Sequence, residues 1–128
     1  METEGTLLES LGIEIVSTSP ERVVATMPVD ERTVQPFGYL HGGATAALLE
    51  TVASLGSIAN VDLEQVAVFG VELCVRHVKS AREGTVTGIA VPRDLGEREH
   101  IWDVECRDEA GDVLSNGTCT VRIVARRE

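Results

Sequence analysis

The sequence predicts an α+β fold, an antiparallel sheet packed on one face of a single long helix. Three observations carry this. Residues 42 to 59 have the composition of a helix and hold one charge, Glu50. Two short β-like runs precede that segment, and four follow it.

Taken in order, residues 4 to 11 predict a short helix with Leu7, Leu8 and Leu11 on one side. Ile13 to Val16 and Arg22 to Met27 predict a hairpin that turns at Ser19-Pro20-Glu21. The long helix is rich in Ala and Leu, contains no proline and stops near Asn60. A helix that is apolar nearly all round is a buried one, so the sheet is expected to wrap it. Gly56 within it costs about 1 kcal/mol relative to Ala, a cost offset if a neighbouring backbone approaches closely there. The later strands are expected over 66–78, 84–91, 100–107 and 113–125. In the first of them, period-2 alternation sets Phe69, Val71, Leu73, Val75 and His77 on one face and Glu72 and Arg76 on the other. Asp108 to Asp112 supplies the turn between the last two.

A chain of 128 residues is read as one domain, 1–128, large enough to bury a core of Val, Ile, Leu and Ala without disulfides or a structural metal. Its formal net charge of -10 excludes a general nucleic-acid binder, which needs a field of Lys and Arg. Any anionic ligand has to meet a local basic cluster. Lys79 is the only lysine against ten arginines, a bias that either a salt-rich cytoplasm or GC-rich coding produces. Cys74, Cys106 and Cys119 are odd in number and unpatterned in spacing, fitting neither a disulfide framework nor a zinc site; they are expected to be small core residues. No leader-like segment opens the chain and no apolar run reaches the roughly 20 residues that span a bilayer, so a soluble, cytoplasmic protein with no membrane partner is expected. Asn116-Gly117-Thr118 is then a piece of strand rather than a glycosylation site.

Glu50 is the residue that asks for an explanation. A carboxylate among Ala and Leu is costly to bury, so it is either retained for chemistry or emerges at a solvent-facing edge of the helix. Ser54 lies one turn on, and Gly43, Ala47 and Ser57 share roughly the same stripe, a lane of small residues with room for a ligand. His41-Gly42-Gly43 stands at the helix start, where backbone N–H groups have no intrahelical partner and the dipole is positive. Such a place suits a developing oxyanion; equally, the glycines serve a turn. His41 is open in the same way, as a hydrogen-bonded structural residue or as one that orients the loop or binds an acyl group.

The run from Ala25 to Asp30, then Arg32-Thr33, Gln35-Pro36-Phe37-Gly38 and Leu40-His41-Gly42-Gly43-Ala44, followed by Glu50 and Ser54, resembles the hotdog-fold acyl-CoA thioesterases of the 4-hydroxybenzoyl-CoA and phenylacetate-degradation branch. Within that branch it is most similar to the 1,4-dihydroxy-2-naphthoyl-CoA hydrolases. Gly70-Val71-Glu72-Leu73, His77 and Ser80 to Gly84 extend the likeness, which runs from about residue 20 to the end. The resemblance implies that Glu50 is the carboxylate nucleophile or general base and that Ser54 holds substrate or water. It implies that Gln35 and the Gly42 N–H polarise the thioester carbonyl, and that the site is shared across a dimer that pairs again into a tetramer. It further implies that Gly70, His77, Val78, Lys79, Ser80 and Arg82, with Gly96 and Arg98 of the loop 93–99, run along the pantetheine and nucleotide of CoA. In that loop Asp94, Glu97 and Glu99 stand where neutral or basic residues are expected.

Thioester cleavage suits this equipment and needs no metal or other cofactor, because the thiolate leaves readily and one carboxylate suffices. Phe37, Tyr39 and Leu40 are candidates to line an acyl pocket, for an aromatic or a medium aliphatic chain alike. Two other functions fit the same fold. A hydratase or dehydratase requires an acid–base pair that no Asp–His spacing here supplies, and a non-catalytic acyl-CoA-binding module of the sensor type requires an added helical segment for which residues 1 to 11 are too short.

Overall fold

The computed structural model describes residues 2–127. A short helix, α1 (Leu7–Leu11), leads into β1 (Glu14–Thr18) and β2 (Val23–Pro28). The long helix α2 (Gly42–Ala59) follows, then β3 (Val66–His77), β4 (Thr85–Leu95), β5 (Glu99–Arg107) and β6 (Val113–Ala125). All six strands form one antiparallel sheet in the order β1-β2-β4-β5-β6-β3, and α2 packs across one side of it. This is the α+β hotdog arrangement expected. Among the described residues no helix is long and apolar enough to cross a membrane.

The core is aliphatic, as the composition requires, with one exception at its centre. Leu48, Leu49, Val52 and Ala53 of α2 meet Val23, Ala25, Met27, Val86, Ala90 and Val121 of the sheet, all essentially solvent-free. Trp102 lies fully buried among them, and a methyl group on Gly56 would collide with its ring. Gly56 is therefore matched to an indole side chain rather than to the neighbouring backbone expected. The indole N–H donates to Ser57 Oγ at 2.8 Å, which satisfies a donor otherwise stranded in hydrocarbon. His100 Nδ1 shares the same hydroxyl at 2.8 Å, and burial pulls its pKa below the ordinary histidine value. Ser57 thus belongs to the core and leaves the small-residue lane assigned to it.

Three other expectations need correction. The strict alternation along β3 fails because the register against β6 shifts between Gly70 and Glu72, so that one extra residue reverses the side-chain faces. Val68, Leu73 and Val75 pack on the core, whereas Phe69 and Val71 are exposed. Cys74 is exposed as well, while Cys106 and Cys119 are buried and their thiols are pushed up to about 12 by desolvation. The fourth strand runs past its expected end at residue 91 to Leu95, with a register shift between Pro92 and Asp94 that accommodates Pro92 within the pairing. Residues 116–118 lie inside β6.

Candidate active site

Two cavities of similar size flank α2. The first, about 480 Å³, opens at the helix N-terminus and is lined by Gln35, Tyr39, Leu40, Gly42, Thr45, His77 and the 78–80 segment. The second, about 490 Å³, lies along the middle of the helix and is bordered by Gly43, Ala47, Glu50, Ser54, Leu73 and the α1 residues Leu7 and Leu8.

The first cavity is built to donate hydrogen bonds. The segment preceding α2 folds back on itself: Val34 bridges Leu40, and Gly38 takes a positive φ of 89° that a side chain would resist. Inside this loop the Gln35 side-chain oxygen accepts the N–H groups of Phe37 at 2.6 Å and Tyr39 at 3.2 Å. Two converging donors define which end of the amide is oxygen, so the NH₂ end is the one left for a ligand. His41 is the N-cap of α2, its Nδ1 accepting the Gly43 N–H at 2.8 Å. This gives it a structural role at the helix start. The Gly42 N–H, one residue earlier, has no hydrogen-bond partner among the described residues. A methyl group on Gly42 would lie 2.8 Å from His77 Nε2, which places that imidazole directly against the helix start. His77 Nδ1 is bonded to Ser115 Oγ at 2.6 Å.

The second cavity holds one charge. Glu50 is exposed in the single chain, rather than desolvated, with its carboxylate against Gly70, where a methyl group would come within 2.8 Å of Oε2. Ser54 is half-buried one turn along. Thr51 bonds back to the carbonyl of Ala47 at 2.7 Å, whereas the Ser54 hydroxyl makes no hydrogen bond among the described residues and is open to the cavity.

The sequence-predicted residues therefore fall into separate groups. Gln35, Gly42, His77, Val78, Lys79 and Ser80 share one cavity; Glu50 and Ser54 line the other, with Gly70 against the Glu50 carboxylate. Gly42 and Glu50 are eight helical steps apart, about 12 Å along the axis, too far for one carbonyl group to touch both. Phe37 is 80% exposed and lines neither cavity, so Tyr39 and Leu40 are the chain's own acyl-pocket candidates.

The basic cluster expected for CoA is not assembled within one chain. Lys79 Nζ lies 3.2 Å from Asp108 and 2.5 Å from Asp112, which raise its pKa and offset its charge. Arg82 stacks on Tyr39, its guanidinium 4.7 Å from the ring centroid, and so braces the Gln35 loop. Gly96 and Arg98 sit in the β4–β5 turn, level with the Phe69 end of β3, whereas Lys79 and Ser80 follow its His77 end. Sequence reasoning missed Ser115, a strand serine with nothing to distinguish it, and missed Leu7 and Leu8 as walls of the Glu50 cavity, for which an apolar pair on an otherwise exposed short helix was the available signal.

A model of the family described as the thioesterase superfamily matches residues 37–115. The chain is 40% identical over 121 residues to 1,4-dihydroxy-2-naphthoyl-CoA hydrolase of Escherichia coli, a match covering 94% of this chain and 88% of that one. Thioesterase PA1618 of Pseudomonas aeruginosa, solved with a glutamine replaced by alanine, superposes with a TM-score of 0.94 at 34% identity, covering 97% and 89% of the two chains. Thioesterase SAV0944 of Staphylococcus aureus superposes with a TM-score of 0.90 at 36% identity, covering 92% and 98%. It has been solved with a glutamine and, separately, a glutamate replaced by alanine; the two positions are fifteen residues apart, the separation of Gln35 and Glu50 here.

Proposed function

The chain belongs to the thioesterase superfamily, and from that premise we propose that it hydrolyses an acyl-CoA thioester in a site shared by two copies. Glu50 of one copy works opposite Gln35 and Gly42 of the other. One observation carries this reading: the carboxylate and the donors line different cavities of the same chain, each half without the chemistry of its complement.

The free edge of β3 supplies the geometry for joining the halves. β3 is an outer strand of the sheet, 12 residues long, and its own Phe69 and Val71 are exposed. An edge of that length is a template for pairing. Gly70 abuts Glu50, and His77 abuts Gly42. Antiparallel pairing of two β3 strands about Leu73 and Cys74 sets the Gly70 end of one against the His77 end of the other. Each Glu50 then faces the donor cavity of its partner. The same exchange carries Gly96 and Arg98 of one copy toward Lys79 and Ser80 of the other, which makes the basic surface for the CoA phosphates a composite one. A second pairing of such dimers gives the tetramer.

In this site the Gln35 amide and the Gly42 N–H bind the thioester oxygen and hold its charge as the carbonyl carbon becomes tetrahedral. The Glu50 carboxylate either adds to that carbon, giving an anhydride that water then opens, or takes a proton from a water that adds directly; Ser54 orients the water or substrate. Both routes break the C–S bond, and the CoA thiolate leaves and collects a proton. Tyr39 and Leu40 form the acyl wall from this chain, and the E. coli relative supports an aromatic acyl group over a medium aliphatic one.

The test is thiol release from a panel comprising 1,4-dihydroxy-2-naphthoyl-CoA, benzoyl-CoA and hexanoyl-CoA. The aryl substrates are expected to give the highest kcat/KM. Glu50→Gln should lower kcat by about 10²- to 10⁴-fold with a smaller change in KM, and a near-wild-type kcat would sink the assignment. Gln35→Ala is expected to lower kcat by about 10²-fold, as removal of one oxyanion donor does; an effect confined to KM would remove its polarising role.

A further inference from the structure

We propose that Ser115 is a positioning residue that holds His77 as a third hydrogen-bond donor to the thioester oxygen, an inference that rests on the shared-site reading above. Ser115 is 2% exposed, and its hydroxyl has one partner among the described residues, His77 Nδ1 at 2.6 Å. A buried O–H left without an acceptor costs more than an unfilled lone pair, so the proton lies between the two atoms as a donation from Ser115 to the imidazole. Accepting at Nδ1 fixes the neutral ring as the tautomer that carries its proton on Nε2. That nitrogen is the one packed against Gly42, within the cavity that also holds the Gln35 amide. Three donors of independent origin, a loop side chain, a helix N-terminus and a strand imidazole, therefore converge on one pocket. Ser115 stands on β6, beside His77 in the β3–β6 register, so the pair is set by the sheet and not by a mobile loop. A preorganised donor of this kind requires no reorientation as charge develops on the oxygen.

Ser115→Ala frees the ring to rotate or change tautomer and is expected to lower kcat about tenfold while KM moves less than about threefold, because the contact strengthens in the transition state. Ser115→Thr, which retains the hydroxyl, is expected to restore most of the loss. In a His77→Ala background the Ser115→Ala change should alter kcat by less than about twofold, since the serine acts only through the imidazole. A full additional tenfold loss there would overturn the proposal and leave Ser115 a packing residue. The wild-type protein offers a measurement that depends on no variant folding: histidine ¹⁵N–¹H correlation spectra, with the His77 signals identified by their loss in His77→Gln. A ring protonated on Nε2 supports the assignment, and one protonated on Nδ1 defeats it. Failure of the Glu50 reading would appear separately, as full activity in Glu50→Gln, with the Ser115–His77 cycle still measurable.

Discussion

The two faces of α2 differ more than their residues suggest. One face carries Leu48, Val52, Gly56 and Ser57 into the sheet, where every polar atom is matched: Ser57 takes the Trp102 N–H and meets His100. The other carries Gly43, Ala47, Glu50 and Ser54 along an open cavity, where the serine hydroxyl and the carboxylate have no side-chain partner among the described residues. Ser54 and Ser57 are one turn apart and chemically identical. About a sixth of a turn decides that one is spent on stability and the other left for a ligand, because 3.6 residues per turn moves a side chain about 60° between i and i+3.

The largest effect expected from this contrast comes from mixing. Glu50→Ala and Gln35→Ala are each expected to be nearly inactive alone. After dissociation and reassembly together, half of the dimers combine the two variants and each such dimer holds one intact site, so about a quarter of wild-type activity returns if the halves face each other across two copies. Persistent inactivity, with mixed dimers shown to form by mass spectrometry, would put both groups in one chain. Gly70→Ala comes next. Its new methyl group meets the end of the Glu50 side chain, which moves aside more readily than the sheet, so kcat should fall about tenfold with thermal stability nearly unchanged. A fall in Tm without a fall in kcat would show that Gly70 serves the sheet.

On the matched face the signs reverse. Gly56→Ala drives a methyl group into a fully enclosed indole ring, an overpacking that costs about 1–3 kcal/mol against roughly 1 kcal/mol gained in helix propensity. Thermal denaturation should register the loss, and kcat below the transition should not. The smallest effect is set by pH. His100 has a lower pKa folded than unfolded, so the unfolded chain binds the extra proton; its contribution to stability is complete above the unfolded value and is lost as pH falls through it toward the folded one. The Tm difference between wild type and His100→Gln should therefore shrink on going from about pH 7.5 to about pH 5.5, below the ordinary histidine pKa. A difference that stays constant with pH would mean that His100 is not the titrating group.

Most of the architecture was legible because it is periodic or punctuated. The span of α2 follows from an Ala- and Leu-rich run between His41 and Asn60 with Glu50 as its one charge, and the β1–β2 hairpin from Ser19-Pro20-Glu21. What was illegible is what a bulge or a distant partner decides. One extra residue near Gly70 reversed the faces of half of β3, and no local pattern announces it. Ser57 was assigned to the lane of small residues because its partners, His100 and Trp102, lie more than forty positions away. The resemblance set Lys79 along CoA, but its ion pairs with Asp112 and Asp108 join positions about thirty residues apart and have no local signature. Gln35, Gly42 and Glu50 were found through the resemblance of their motif; the donor geometry of the Gln35 loop depends on backbone N–H groups that have no sequence signature.

The uneven burial of the three cysteines has a practical side. Cys106 and Cys119 are enclosed and their thiols are held up to about 12, so a disulfide-exchange or maleimide reagent at neutral pH meets a single sulfur, that of Cys74. Any colorimetric measurement of released CoA with such a reagent carries a protein background of up to one equivalent per chain, set by how far Cys74 is covered. Cys74 also stands on the free edge strand, opposite Thr118 of β6, so the same background is an intrinsic probe. Its rate of labelling, followed as the protein is diluted, reads out whether that edge is covered, with no tag or added chromophore.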